Sequence, residues 1–154
     1  MRYAQIRKMD ISNGEGIGVS LFVQGCPHHC KGCFNQETWD FDGGKEFTSQ
    51  IEDGLFNILE SKKDYLSYFS ILGGEPLAPQ NIDKVQDILK KVKKNFPFKT
   101  YVWTGYRLEN IKNKEILKYI DVLVDGPFVE EQRDITLKLR GSSNQRVLYR
   151  GKDF

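Results

Sequence analysis

Residues 19–33 read Val19-Ser20-Leu21-Phe22-Val23-Gln24-Gly25-Cys26-Pro27-His28-His29-Cys30-Lys31-Gly32-Cys33. Five residues of strand character, bounded by Gly18 and Gly25, run straight into a loop punctuated by Gly25, Pro27 and Gly32. That loop carries all three cysteines of the chain. The strand-then-loop pattern recurs downstream. Tyr68–Leu72 is a short apolar run ending at Gly73-Gly74-Glu75. Lys99–Trp103 ends at Thr104-Gly105-Tyr106, and Ile120–Val124 ends at Asp125-Gly126-Pro127.

Helical periodicity fills the gaps. Ser49 and Glu52 fit a capping box, and Ile51, Leu55, Ile58 and Leu59 then share one face. A second helix is predicted from near Asn81, with Ile82, Val85, Leu89, Val92 and Phe96 as its buried stripe. The lysines crowding its last turns suit the helix dipole. Glu115–Tyr119 reads as a short, weak helix. Strands alternating with helices imply βαβ units, right-handed crossovers and a mainly parallel sheet. A complete eight-fold barrel needs about 250 residues. A chain of 154 residues is therefore read as one α/β domain over 1–154, an incomplete βα barrel or an open sheet. Strand carboxyl ends share one edge of such sheets, and ligands bind there. The cysteine loop, Gly73-Gly74-Glu75 and Thr104-Gly105-Tyr106 are thus expected to converge.

Composition excludes several classes. Hydrophobic residues make up 39% and charged residues 29%, and 23 Lys+Arg against 21 Asp+Glu leave a net charge of +2. That balance gives no argument for a nucleic-acid partner. The first ten residues have no apolar core of a secretory signal, and no apolar stretch approaches the ~20 residues of a membrane span. The expected location is cytoplasmic, where thiols stay reduced. Three clustered cysteines there point to a metal site rather than a disulfide framework.

The spacing is Cys26-x3-Cys30-x2-Cys33. Zinc bound by three thiolates and a histidine is one reading. The only histidines, His28 and His29, lie inside the x3 gap, where a tetrahedron with the adjacent cysteines is hard to close. An iron–sulfur cluster fits the soft donor set better. Electron carriers normally hold a 4Fe–4S cluster with four cysteines; three leave one iron open to a small molecule.

A Cys-x3-Cys-x2-Cys loop after the first strand, with Gly73-Gly74-Glu75-Pro76 after a later one, resembles the radical S-adenosylmethionine superfamily. The resemblance implies a partial TIM-like βα barrel and a 4Fe–4S cluster on Cys26, Cys30 and Cys33. The fourth iron would be chelated by S-adenosyl-L-methionine, with the Gly-Gly-Glu segment beside its methionine moiety. Asn13-Gly14-Glu15-Gly16-Ile17-Gly18-Val19, Phe22-Val23-Gln24-Gly25-Cys26 and Cys30-Lys31-Gly32-Cys33-Phe34-Asn35 are similar to the glycyl-radical-enzyme activases, and the short length with Trp103-Thr104-Gly105 and Val122-Leu123-Val124-Asp125-Gly126-Pro127-Phe128 is similar to the small ones that act on anaerobic ribonucleotide reductase. The implied chemistry is reductive cleavage of S-adenosylmethionine to a 5′-deoxyadenosyl radical. That radical would take hydrogen from a glycine of the reductase, and no nucleophile or acid–base pair is needed. Other small radical enzymes of the superfamily, such as a pyruvate formate-lyase type activase or a deazapurine synthase, remain as alternatives, as does a non-catalytic metal-binding module.

The same resemblance assigns Gly32, Cys33 and Phe34 to contacts with S-adenosylmethionine, Phe34 being a candidate for packing on adenine. Gly73 and Gly74 would allow close backbone approach. Glu75 has two readings, a receptor for the substrate ammonium or a structural hydrogen-bonding residue. Thr104 would reach the ribose or cap its turn. His28 and His29 read as solvated loop residues. From Arg133 onward six basic residues face two acidic ones. This tail would dock an acidic electron donor such as reduced flavodoxin, dock an acidic face of the reductase, or form a plain solvated edge.

Overall fold

The computed structural model describes residues 1–154. Seven strands form one open sheet: β1 (Arg2–Asp10), β2 (Gly18–Val23), β3 (Lys45–Glu46), β4 (Tyr68–Gly73), β5 (Lys99–Trp103), β6 (Val122–Asp125) and β7 (Arg146–Tyr149), in the order β3-β1-β2-β4-β5-β6-β7. The central four, β2, β4, β5 and β6, are parallel, while β1, β3 and β7 are antiparallel additions at the flanks. The two outermost strands do not pair, so the sheet is not closed. No helix is long and apolar enough to cross a membrane.

Helices α1 (Ser49–Lys62) and α2 (Ile82–Asn95) cover one face. Val19, Leu21 and Val23 of β2 alternate toward that side, with Phe69 and Ile71 of β4, Val102 of β5 and Leu123 of β6, and join Leu55, Leu59, Val85, Ile88, Leu89 and Val92 in the main core. Each such fully buried aliphatic side chain contributes about 1.5–3 kcal/mol. The predicted α2 stripe missed Ile88, which is fully buried. The opposite face carries Tyr68, Tyr101 and Val122 with Trp103, Leu139 and Val147. A polar seam runs through it. Ser20 hydrogen-bonds Asp10, and its hydroxyl lies 2.5 Å from that of Ser70. Burial pushes the Asp10 carboxyl up, but hydrogen bonds from Ser20, Ser12 and Asn13, with Arg7 nearby, hold it below the usual carboxylate value.

Three expectations change. The cap of α1 is Thr48, whose hydroxyl accepts from Ile51 N at 3.2 Å. Glu52 turns away from the helix start to pair with Lys84 (2.5 Å) and Lys91 (2.9 Å) of α2. Thr48→Ala should therefore cost about 1 kcal/mol in urea unfolding, and Ser49→Ala close to nothing. A Ser49 effect as large would restore the capping box. Between β5 and β6 the chain forms only 3-10 helices, Leu108–Asn110 and Lys114–Tyr119. Three of the six basic residues of the tail are bonded within the fold. Arg146 of β7 binds Asp125 (2.9 Å) and Glu109 (2.8 Å), Arg150 pairs with Asp121, and Arg140 donates to the Ser143 and Gln145 carbonyls. Truncation from Arg140 would strip an edge strand rather than report on docking.

Candidate functional site

The cysteine loop leaves β2 at Val23 and is fastened at both ends. Gln24 donates its amide to the carbonyls of Glu37 (3.0 Å) and Asp40 (2.9 Å), and Gly25 N and Cys26 N bond Thr38 O and Trp39 O at 2.7 and 3.1 Å. Between these anchors the three thiols are partly exposed and line a cavity of about 370 Å³, together with Gly73, Gly74, Glu75 and Thr104. The strand-end segments therefore meet where parallel topology requires.

Backbone N–H groups of His28 and His29 face the Cys26 sulfur, that of Phe128 faces Cys30, and Asn35 N donates to Cys33 Sγ at 3.4 Å. Such donors suit sulfur that carries negative charge. Burial pushes the Cys26 thiol up to about 11 and raises Cys30 as well. Both are thus protonated at neutral pH without metal, and loading expels protons. No three His, Cys, Asp or Glu side chains converge closely enough for a single ion. The donor set suits a polynuclear cluster, whose corner irons take ligands spread around it.

Gly73 and Gly74 continue the β2–β4 ladder into the loop: Gly74 N bonds Val23 O at 2.9 Å and Glu75 N bonds Gly25 O at 2.8 Å. The close approach that needs glycine here is to the chain's own backbone. Glu75 is 1% exposed. Its Oε1 accepts from Leu77 N (2.9 Å) and Thr104 Oγ1 (2.8 Å); its Oε2 meets Gly105 N and His28 Nε2, both at 2.7 Å. These four bonds are those that the structural reading of Glu75 requires. Thr104 also accepts from Tyr106 N at 3.1 Å, which caps its turn.

His28 departs from expectation: its side chain is only 19% exposed and is bonded to Glu75. His29 is exposed, as read, and stacks on Trp39 at 4.5 Å. Asn81, near which the second helix was predicted to begin, makes no capping bond and instead donates its amide to Gln24 O (3.3 Å) and Glu75 O (3.0 Å). Gly32 lies at φ +76° beside Glu130. Phe34 is 54% exposed, tilts against Phe128 at 5.1 Å and lies under the Arg133 guanidinium at 5.0 Å. Phe128 closes the Val122–Phe128 stretch that carries the resemblance, at a fourth strand end, but no role at the site was read for it. No local signal marks His28 or Asn81, since Glu75 lies 47 residues from the first.

Comparison with known proteins gives two results. Residues 12–148 match the family described as 4Fe-4S single cluster domain. Proteins named anaerobic ribonucleoside-triphosphate reductase-activating protein align over almost the full chain. That of Haemophilus influenzae is 41% identical over 99% of both chains, and that of Escherichia coli K12 is 41% identical over 96% of this chain and 97% of the relative. That of Enterobacteria phage T4 is 43% identical over 96% of this chain and 93% of its own.

Proposed function

The chain belongs to the 4Fe-4S single cluster domain family and, within it, to the anaerobic ribonucleoside-triphosphate reductase-activating proteins; from that membership we propose that it activates an anaerobic ribonucleotide reductase by installing a glycyl radical on it. The observation that carries this reading is the loop of three thiols beside a cavity at the carboxyl edge of the parallel strands. Three thiolates leave one iron of a 4Fe–4S cluster without a protein ligand. When bound, the cluster supplies one electron to S-adenosylmethionine, whose cleavage to methionine gives a 5′-deoxyadenosyl radical able to take hydrogen from a glycine of the partner.

The protein's part is ligation, orientation and exclusion of water. Cys26, Cys30 and Cys33 hold the cluster. The backbone around Gly32 and Cys33 and the ring of Phe34 border S-adenosylmethionine, and Gly73 and Gly74 flank its methionine end. Glu75 and Thr104 form the wall behind them, holding the loops rather than the ligand. The single domain is a partial TIM-like βα barrel of radical S-adenosylmethionine type, opened between its flanking strands. An acidic carrier such as reduced flavodoxin would deliver the electron in the cytoplasm.

The test is anaerobic reconstitution with iron and sulfide, followed by EPR of the reduced protein with and without S-adenosylmethionine. A 4Fe–4S signal that changes on addition is expected, with 5′-deoxyadenosine in the mixture and a glycyl radical on added reductase. A signal indifferent to S-adenosylmethionine would leave a fully ligated carrier and overturn the proposal.

A further inference from the structure

His28 lies between two of the thiols in sequence and lines their cavity, yet its side chain is only 19% exposed and bonded to Glu75. Its Nε2 is 2.7 Å from Glu75 Oε2, and its ring meets Tyr106 edge-on at 4.6 Å. Beneath it is Gly105, where a Cβ would come within 2.5 Å of His28 Cδ2 and 2.7 Å of Nε2. The ring thus fills a slot that only a glycine at 105 leaves open. Glu75 in turn holds Leu77 N, Thr104 Oγ1 and Gly105 N. A carboxylate offers roughly four lone-pair sites. All four are taken, so the carboxylate has nothing to offer a substrate ammonium without releasing one of these partners.

From this geometry we infer that His28 is a positioning residue. It fastens the cysteine loop to Glu75, and through Glu75 to the carboxyl ends of β4 and β5. The Glu75 N–Gly25 O bond fixes the root of the loop to this segment, and the His28–Glu75 bond fixes the stretch between Cys26 and Cys30, so both set the distance between the thiols and the Gly73-Gly74 backbone. A ligand that touches both the cluster and the Gly-Gly segment must span that distance, so loosening it weakens the ligand's binding while the thiols stay intact. The inference rests on the activase reading, because it concerns where S-adenosylmethionine is held.

Three variants test it. His28→Ala removes the bond, and His28→Gln keeps an N–H donor on a side chain of similar reach. Gly105→Ala drives the ring from its slot without touching any thiol. After reconstitution, His28→Ala and Gly105→Ala should keep the parent's iron content. Their affinity for S-adenosylmethionine, titrated by its effect on the reduced cluster's EPR signal, should fall about 10–100-fold. His28→Gln should recover most of that loss, and His28→Ala combined with Gly105→Ala should be no worse than either alone.

A second readout needs no cluster. Lys31 is 84% exposed, and tryptic cleavage after it in the cluster-free protein should quicken about tenfold in His28→Ala as the loop opens more often. Parent-like affinity in both His28→Ala and Gly105→Ala would overturn the inference, even with faster proteolysis. So would a His28→Gln protein as impaired as His28→Ala. Should His28→Ala take up no iron, His28→Gln against Gly105→Ala decides by the same criterion. A parent protein whose signal ignores S-adenosylmethionine would instead bring down the activase reading itself.

Discussion

Serine in place of Cys26, Cys30 or Cys33, one at a time, is expected to strip the cluster and lower S-adenosylmethionine cleavage by at least ~100-fold, beyond the 10–100-fold typical of losing an outer partner of a metal ligand. With only three thiols in the chain, no fourth can move in to replace the lost one. A serine hydroxyl is a poor substitute, being hard and far less acidic. The loss should be chemical rather than structural. All three side chains are partly exposed on a loop whose ends are secured by Gln24, Gly25 and Cys26 backbone contacts. Surface changes of this kind move stability by about 0.5 kcal/mol, so the cluster-free variants should unfold within roughly 2 °C of the parent. Iron analysis after reconstitution, beside a thermal melt of the cluster-free protein, separates the two. A serine variant that keeps its full iron and sulfide would remove that residue from the ligand set.

Gly74→Ala is expected to damage the fold by steric clash alone. A Cβ there would overlap the carbonyl oxygen of Gly25 and lie 2.9 Å from its carbon and 3.0 Å from its nitrogen. These are backbone atoms at the root of the cysteine loop, already bonded to Glu75 N and Thr38 O. They have no rotamer through which to yield. Relief requires parting β2 from β4 at their carboxyl ends, an overpacking cost of about 3 kcal/mol. That corresponds to a fall in Tm of roughly 6–12 °C for a chain of this length. Gly54→Ala provides the contrast: no atom lies within 4 Å of its would-be Cβ in the interior of α1, and it should gain about 0.5–1 kcal/mol. Equal responses of the two variants would refute the steric argument.

The parallel centre of the fold was readable because each of its strands ends in a turn signal and is rich in apolar residues. β1 was not. Its ladder with β2 shifts register between Tyr3 and Gln5 and again between Arg7 and Asp10. Each irregularity inserts a residue and breaks the two-residue alternation on which strand reading depends. β7 escaped for another reason. It is short and only half-buried, and Arg146 earns its place through Asp125, 21 residues away. The site divides the same way. Cys26, Cys30, Cys33 and the Gly73–Glu75 segment announce themselves by type and spacing. His28 and Asn81 act through partners that only the fold supplies, and nothing in their neighbours' identities distinguishes them from a solvated loop residue and a helix cap. The Ser20–Ser70–Asp10 seam was invisible for the same reason.

The sheet ends in two strands, β3 and β7, that never meet. A closed ring of strands admits only what can enter by its end. A free small molecule satisfies that condition, and so does a chain terminus, but an interior residue of a folded protein satisfies neither. An open seam changes the topology of access. A bend of another polypeptide can be laid in sideways and lifted out again, with both of its flanks remaining outside and neither protein unfolding. For an activator that acts on another protein, the gap between β3 and β7 leaves such a side entry.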